Sequence, residues 1–276
     1  MAPAPSANLP LKDRVLALVQ TLQFGWFAGH VVLLLCIFRY LLSFLTFNYY
    51  SRMAQFSYRT AFVSAAVTYG IVVYKTRRAR QKVGNPVSPM SLLSDENVQY
   101  LGMALVWLFT PQYMYALLPY GIYSVFHVAT YVRTNVLPTL QPAKGPAGAK
   151  AEPSPLAERI GAFVKQYYEF SMSIVSGLEI VLWIRLLSAA IVFTNRSWIV
   201  LAIYTAFLRA RFAQSTHVQN SFGMLEARID SLVGAQGTPP VARTVWDGTK
   251  GAARQFHAVT DISKYLNGSS VPKKTS

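Results

Sequence analysis

The feature that most constrains this chain is a set of long runs that carry almost no formal charge. Residues 97–132 hold 36 consecutive residues without an acidic or basic side chain other than His127. The run Phe24–Phe47 has 24 residues and one formal charge, Arg39. A membrane-spanning helix needs about 20 consecutive apolar residues, and only 13% of this chain is charged. We therefore predict an all-α polytopic membrane protein built of helical hairpins.

The basic residues that give the chain its net charge of +15 lie beside the apolar runs rather than on a separate domain. One cluster, residues 75–82, holds five basic residues and no acid: Lys75, Arg77, Arg78, Arg80 and Lys82. Basic residues next to a span indicate the cytoplasmic side of a membrane. This pattern favours contact with anionic lipid headgroups over nucleic acid. It predicts a lipid bilayer as the main partner, with both termini cytoplasmic.

Alternating apolar and polar stretches divide the chain into five predicted segments. These are an N-terminal tail with an amphipathic surface helix (1–23), a first membrane block (24–137), a flexible linker rich in Pro, Ala and Lys (138–155), a second membrane hairpin (156–212) and a cytoplasmic amphipathic tail (213–276). Apolar residues at helical spacing predict the surface helices.

The first membrane block is predicted to contain two spans and a proline-broken hairpin. The spans are Phe24–Phe47 and roughly Phe56–Tyr74. Pro111 and Pro119 interrupt the uncharged run 97–132, and proline breaks or kinks a helix. We therefore expect the hairpin to turn near residues 110–119.

The second membrane hairpin is predicted from a longer apolar region. An amphipathic entry helix from Leu156 should precede a span of about Phe170–Thr194, and Ile199–Leu208 should return. The sequence leaves open whether residues 97–132 and 170–208 cross the membrane fully or re-enter it.

The tail combines apolar stripes with a basic balance, nine basic against four acidic residues between 209 and 276. Such stripes suit docking on an anionic bilayer or on a partner helix. The predicted membrane or partner contacts are Val218, Phe222, Leu225, Ile229, Leu232, Phe256, Val259 and Ile262, with Arg254 and Lys264 beside them.

Catalytic chemistry needs clustered titratable groups, and the sequence offers no such cluster. Nucleotide-binding, zinc-protease and paired-cysteine motifs are absent, and the four histidines are scattered. We predict no enzymatic activity, no metal and no cofactor.

Three polar residues in the apolar runs are predicted to hold the bundle together: His127, Glu179 and Arg185. We expect His127 to form a hydrogen bond with Ser124 or a backbone carbonyl. Glu179 and Arg185 are six residues apart, too far for a one-turn pair, so we expect their partners elsewhere in the bundle.

Two other classes of protein fit the same residues. Arg39, Arg59, Glu179 and Arg185 lie within predicted spans, and charged groups in spans are also typical of a small transporter or channel. The amphipathic tail would equally suit a membrane adaptor that recruits a soluble partner.

Three stretches resemble the transmembrane protein 33 (Krüppel homologue 2) family, in its fungal pore-membrane-protein branch. They read LLPYGIYSVFHVATYVRTNVLP, SGLEIVLWIRLL and YTAFLRARFAQSTHVQNSFGMLEARIDSLV. The resemblance extends over about residues 20–235 and includes the spacing of the segments. The linker and the last forty residues are not typical of the family.

The resemblance implies a non-enzymatic protein of the endoplasmic reticulum membrane and nuclear envelope. It implies membrane shaping, association with reticulon-type proteins and tubular membranes, and, in fungi, nuclear pore complex distribution or assembly. It also implies a C-terminal amphipathic region that binds membrane and a karyopherin.

Overall fold

The all-α prediction is confirmed by a computed structural model, which describes residues 9–82, 84, 92, 94–141, 154–194 and 196–261. These residues contain no strand. The helices are α1 (Leu11–Val19), α2 (Leu22–Leu45), α3 (Arg52–Lys82), α4 (Glu96–Phe109), α5 (Met114–Tyr131), α6 (Leu137–Leu140), α7 (Pro155–Ile191), α8 (Ser197–Gln214), α9 (Thr216–Val233) and α10 (Pro240–Val259). A π-helical turn, Val132–Val136, joins α5 to α6.

The chain divides into two compact units, and the boundary falls between Phe207 and Leu208, inside α8. The first unit holds α1 to α7 and most of α8. The second unit, here called the tail unit, holds the end of α8 with α9 and α10. Most of the predicted linker, residues 142–153, lies outside the described residues.

Three of the described helices are long and apolar enough to cross a membrane: α2, α3 and α7. Thr21 is the N-cap of α2, because its hydroxyl accepts a hydrogen bond from the Phe24 amide at 3.0 Å. Side chains on its outer face, such as Leu35 and Phe38, remain exposed as lipid-facing groups do. A polytopic membrane architecture follows.

Aromatic side chains form the core of the first unit. Tyr40 packs on Tyr58 with ring centroids 5.2 Å apart, which joins α2 to α3. Tyr120 of α5 meets Phe62 and Tyr100 edge to face, both at 5.4 Å. Edge-to-face pairs contribute about 0.5–1.5 kcal/mol beyond the area they bury. These contacts fix α2, α3, α4 and α5 against one another.

Two predicted boundaries differ from the structure. The hairpin turn is shorter than predicted, since only residues 110–113 separate α4 from α5 and Pro119 lies inside α5. Pro119 removes one backbone hydrogen bond, but its neighbours Ala116, Leu117 and Tyr120 are all buried. Their packing outweighs that loss. The predicted entry helix and span of the second hairpin are also one continuous helix, α7.

Close packing of α2 on α3 at Gly29 gives a first testable prediction. A Cβ atom added to Gly29 would lie 2.5 Å from Cγ2 of the fully buried Thr68. We expect Gly29→Ala to lower the free energy of unfolding by about 1–3 kcal/mol, because the packed side chain must shift. Thermal unfolding in detergent micelles measures the change.

Gly25 provides the matched control for this prediction. It lies one turn earlier in α2, and an added Cβ would meet nothing within 4 Å. Gly25→Ala should leave stability unchanged or raise it by up to about 1 kcal/mol through helix propensity. Thr68→Ser removes the clashing methyl group and should restore much of the Gly29→Ala loss. Equal effects of both glycine substitutions would contradict the close approach.

Candidate membrane-contact surface

The tail unit exposes one apolar surface, here called the apolar face of α10. It consists of Val241, Val245, Phe256 and Val259, whose spacing places them on one side of the helix. Their exposed fractions are 71%, 62%, 47% and 73%. Large side chains exposed together on one helix face are typical of an interaction surface.

The opposite face of α10 is polar and is bound to α9. The Trp246 indole donates to Asp230 Oδ1 at 2.6 Å, and Lys250 Nζ lies 2.8 Å from the same oxygen. One turn later, Arg254 Nη2 lies 3.7 Å from Glu226 Oε1. These contacts hold α10 on α9 with its charged side inward. The apolar face is therefore turned away from α9.

The predicted stripe of α9 is more buried than that of α10. Val218 is fully buried, and Phe222 packs against Phe212 with ring centroids 5.6 Å apart. Leu225 and Ile229 are half-buried, whereas Leu232 is exposed. The α9 stripe thus serves mainly for packing, at least up to Ile229.

The other predicted contact residues of the tail lie in different places. Phe256 and Val259 lie on the apolar face of α10, and Arg254 pairs with Glu226. Ile262 and Lys264 lie outside the described residues. The predicted contacts include neither Val241 nor Val245, although these two valines are four residues apart and lie eighteen and fourteen residues before Val259, all helical spacings.

The basic cluster forms the last turns of α3. Lys75, Arg77, Arg78, Arg80 and Lys82 are all exposed. Arg78 donates to the Tyr74 hydroxyl at 3.3 Å. Cations near a helix C-terminus interact favourably with the helix dipole, so the cluster stabilises this helix end while it remains available to lipid headgroups.

His127 lies in an aromatic cluster between α2 and α5. Its ring centroid is 5.0 Å from that of Trp26 and 4.8 Å from that of His30. The expected partner Ser124 instead lies 2.8 Å from Nδ1 of His30. Because the Ser124 hydroxyl donates its proton to the Tyr120 carbonyl at 2.7 Å, His30 Nδ1 is the donor to Ser124. His30 thus makes the helix-packing bond that was expected of His127.

Glu179 is fully buried in α7 and contacts two other helices. Its Oε1 accepts a hydrogen bond from the Tyr100 hydroxyl at 2.5 Å, and its backbone carbonyl accepts one from Tyr204 at 3.1 Å. A cavity of about 10 Å³ lies beside it, enough for about one water molecule. The arrangement suits packing between helices and lacks the volume of a solute site.

Two arginines of the first unit act in different ways. Arg59 is half-buried, and its Nη1 and Nη2 donate to the carbonyls of Trp107 and Thr110 at 2.6 and 2.8 Å. Arg185 is exposed, with its guanidinium carbon 6.0 Å from the centre of the Tyr113 ring. Both therefore contact the hairpin turn between α4 and α5.

The bond between α9 and α10 predicts a pH dependence. The hydrogen bond from Lys250, followed by that from Trp246, lowers the pKa of Asp230, and the bond to Asp230 raises the pKa of Lys250. Because the carboxyl pKa is lower in the folded state, the pair stabilises the fold fully at pH values above the pKa of the unfolded chain. This stabilisation is lost as the pH falls through the pKa of the folded state. We expect the α9–α10 pairing to be constant at neutral pH and to loosen below about pH 4.

Spin labels at the exposed residues Ser231 and Gly251 measure this pairing in a Cys36→Ser background. We expect one narrow distance distribution at neutral pH and a broad one in acid. Asp230→Asn should broaden the distance distribution both at neutral pH and in acid. Asp247→Asn is the control, since the pair of Asp247 with Lys250, at 3.4 Å, lies within α10 and does not join α10 to α9. A narrow distribution in Asp230→Asn would contradict the proposed contact.

The helices that can cross a membrane and the polar contacts within the first unit define a polytopic helical membrane protein. The chain belongs to the family described as Transmembrane protein 33/Nucleoporin POM33, whose model matches residues 7–257. This confirms the family resemblance predicted from the sequence.

Three curated relatives match nearly the whole chain. Nucleoporin POM33 of Chaetomium thermophilum is 62% identical and covers 99% of both chains. Pore membrane protein of 33 kDa of Saccharomyces cerevisiae is 31% identical and covers 88% of both. Tetra-spanning protein 1 of Schizosaccharomyces pombe is 31% identical over 94% of this chain and 92% of its own. None of these names describes an enzyme, and no solved structure matches the chain.

Proposed function

We propose that this protein is a non-enzymatic membrane protein of the nuclear pore membrane and endoplasmic reticulum that organises curved membrane and scaffolds pore complexes. The pore-membrane names of two relatives support the location. The observation that carries the mechanism is the apolar face of α10, which is exposed and turned away from α9. Nuclear pore components, reticulon-type proteins and a karyopherin are the further partners that we propose.

The apolar face of α10 suits insertion into the headgroup region of a bilayer. Amphipathic helices lie in that region with their apolar side inward. Full burial of a Val or Phe side chain contributes about 1.5–3 kcal/mol, so four such side chains supply a substantial driving force. Because Lys250 and Arg254 are bound to acidic residues of α9, the inserting face itself carries no charge.

Short membrane helices support the shaping role. With about 1.5 Å of rise per residue, the 14 residues of α4 extend about 21 Å, less than the hydrocarbon thickness of about 30 Å. The other arm, α5, has 18 residues and extends about 27 Å, so the hairpin is short on its α4 side and occupies one leaflet more than the other. Such a hairpin acts as a wedge that favours curved membrane, and a surface helix inserted among headgroups adds a second wedge.

A fluorescent probe attached at residue 259 tests the docking of α10. The full chain carries Cys36→Ser and Val259→Cys, is labelled with an environment-sensitive dye, and is reconstituted into vesicles of phosphatidylcholine and phosphatidylserine. We expect a blue-shifted emission that lipid-borne quenchers reduce strongly. A probe at Gly251, an exposed residue outside the apolar face, should respond to an aqueous quencher instead.

The same probes separate membrane docking from recruitment of a soluble partner. In vesicles, the probe at residue 259 could show the emission typical of a dye exposed to water and shift only when cytosolic protein is added. In that case the adaptor function would replace the membrane function. Equal lipid quenching at residues 251 and 259 would also contradict docking through the apolar face.

A further inference from the structure

A buried cation in α1 has hydrogen-bonding groups that the described part of the chain leaves unused. Arg14 is 8% exposed, and its Nε and Nη1 atoms are buried without a hydrogen-bond partner among the described residues. Leaving a buried charge unpaired costs several kcal/mol. A guanidinium in this position needs an anion.

The helices that pack on α1 provide no carboxylate. α1 contacts α2 and α6, and neither Leu22–Leu45 nor Leu137–Leu140 contains an acidic residue. Asp13 is next to Arg14 in sequence but lies on the exposed side of α1. The anion for Arg14 therefore comes from outside these elements.

The surroundings of α1 indicate which kind of anion fits. Leu11, three residues before Arg14 and therefore its neighbour on the helix surface, is 50% exposed, so α1 presents an apolar side chain outward next to its buried cation. Lys12, also exposed, adds a second positive charge. An anionic group attached to acyl chains matches both properties, because a chain covers the apolar side chain while the anion meets the guanidinium.

We propose that Arg14 binds the phosphate of a membrane glycerophospholipid between α1 and α6. The N–H groups of the guanidinium donate to phosphate oxygens, a pairing that arginine favours through its planar geometry. Entry of the phosphate requires α1 to move away from α6. An acyl chain lies along Leu11, the exposed apolar side chain one turn before Arg14. This site is separate from the apolar face of α10 and does not depend on it.

The test uses the full chain, delipidated in a maltoside detergent, which contains no phosphate. Thermal unfolding is followed as phosphatidylserine, diacylglycerol with the same acyl chains, or glycerol 3-phosphate is added. For the wild type we expect phosphatidylserine to raise the unfolding temperature and the other two compounds to leave it unchanged. Arg14→Met should need about ten times more phosphatidylserine for the same rise in unfolding temperature, since hydrogen bonds to a charged group are lost.

Lys12→Met is the matched control, because it removes the same charge from the exposed side of the same helix. It should keep the response to phosphatidylserine. Without lipid, Arg14→Met should be at least as stable as the wild type, since an unpaired buried charge has been removed. Arg14→Lys keeps the charge but not the planar guanidinium group, and it should show an intermediate response. It replaces Arg14→Met in the test if that variant does not fold.

Three results would overturn the proposal. Arg14→Met, or Arg14→Lys in its place, could respond to phosphatidylserine as the wild type does. Diacylglycerol could stabilise the wild type as well as phosphatidylserine does, which would show that the phosphate is not recognised. Glycerol 3-phosphate could give the full effect alone, which would identify a site for a free anion rather than for a lipid.

Discussion

Replacing Arg59 with methionine is expected to lower the free energy of unfolding of the first unit by about 3 kcal/mol or more. Arg59 donates to the carbonyls of Trp107 and Thr110. Trp107 lies in the last turn of α4, where backbone carbonyls have no partner within the helix. Hydrogen bonds to charged groups contribute about 1.5–3 kcal/mol each, and the substitution removes two of them.

Arg52 is the control for the Arg59 prediction. It is an exposed arginine at the start of the same helix, so Arg52→Met changes the same charge without removing a buried bond. Unfolding in mixed micelles, followed by circular dichroism, measures both variants. Arg59→Lys should recover part of the loss, because an ammonium group can reach one carbonyl. Similar stability of Arg52→Met and Arg59→Met would contradict the role assigned to Arg59.

Placing glutamate at Val241, Val245 and Phe256 is expected to release α10 from the bilayer. Each substitution replaces an apolar contact with a charge that interfacial insertion must desolvate. With the probe at residue 259, we expect lipid quenching to fall to the level seen at Gly251. The first unit should remain in the membrane, because its spanning helices are unchanged.

A control with the same added charge separates loss of the apolar face from electrostatic repulsion. Thr244, Gly251 and Ala258 are exposed and lie outside the apolar face. Glutamate at these three positions adds the same three negative charges but keeps Val241, Val245 and Phe256. This variant should keep most of the lipid quenching. If both triple variants lose it equally, net charge rather than the apolar face controls docking.

Long elements were predictable from the sequence because their signal is repeated over many residues. The spans in α2, α3 and α7 follow from long apolar runs that contain few charged residues. The tail helices follow from apolar residues at helical spacing. Such patterns depend on local residues only, so a single sequence contains them in full.

Element boundaries were less predictable where local and tertiary preferences conflict. Pro119 indicates a helix break on local grounds, yet α5 continues through it because Ala116, Leu117 and Tyr120 are buried. Similarly, the change from an amphipathic to an apolar stretch in α7 indicated two elements. Helix propensity is continuous across that change, and one helix of 37 residues results.

The polar contacts depend on residues far apart in sequence, which explains why their partners were missed. Ser124 pairs with His30, 94 residues away, and Glu179 with Tyr100, 79 residues away. The spacing of polar residues predicted that Glu179 has a partner in another helix. It did not identify Tyr100, since Tyr100 is one of 16 tyrosines and spacing along the chain does not show which of them lies next to Glu179.

Imaging of the tagged full chain in fungal cells tests the central claim most directly. Nuclear pore and tubule markers are recorded in the same cells, and enrichment at pores is compared among the wild type and the two triple-glutamate variants. We expect the wild type and the variant at Thr244, Gly251 and Ala258 to be enriched at pores. The variant at Val241, Val245 and Phe256 should stay in the membrane without that enrichment. Full pore enrichment of this variant would contradict the proposal that the apolar face of α10 places the protein on pore membrane.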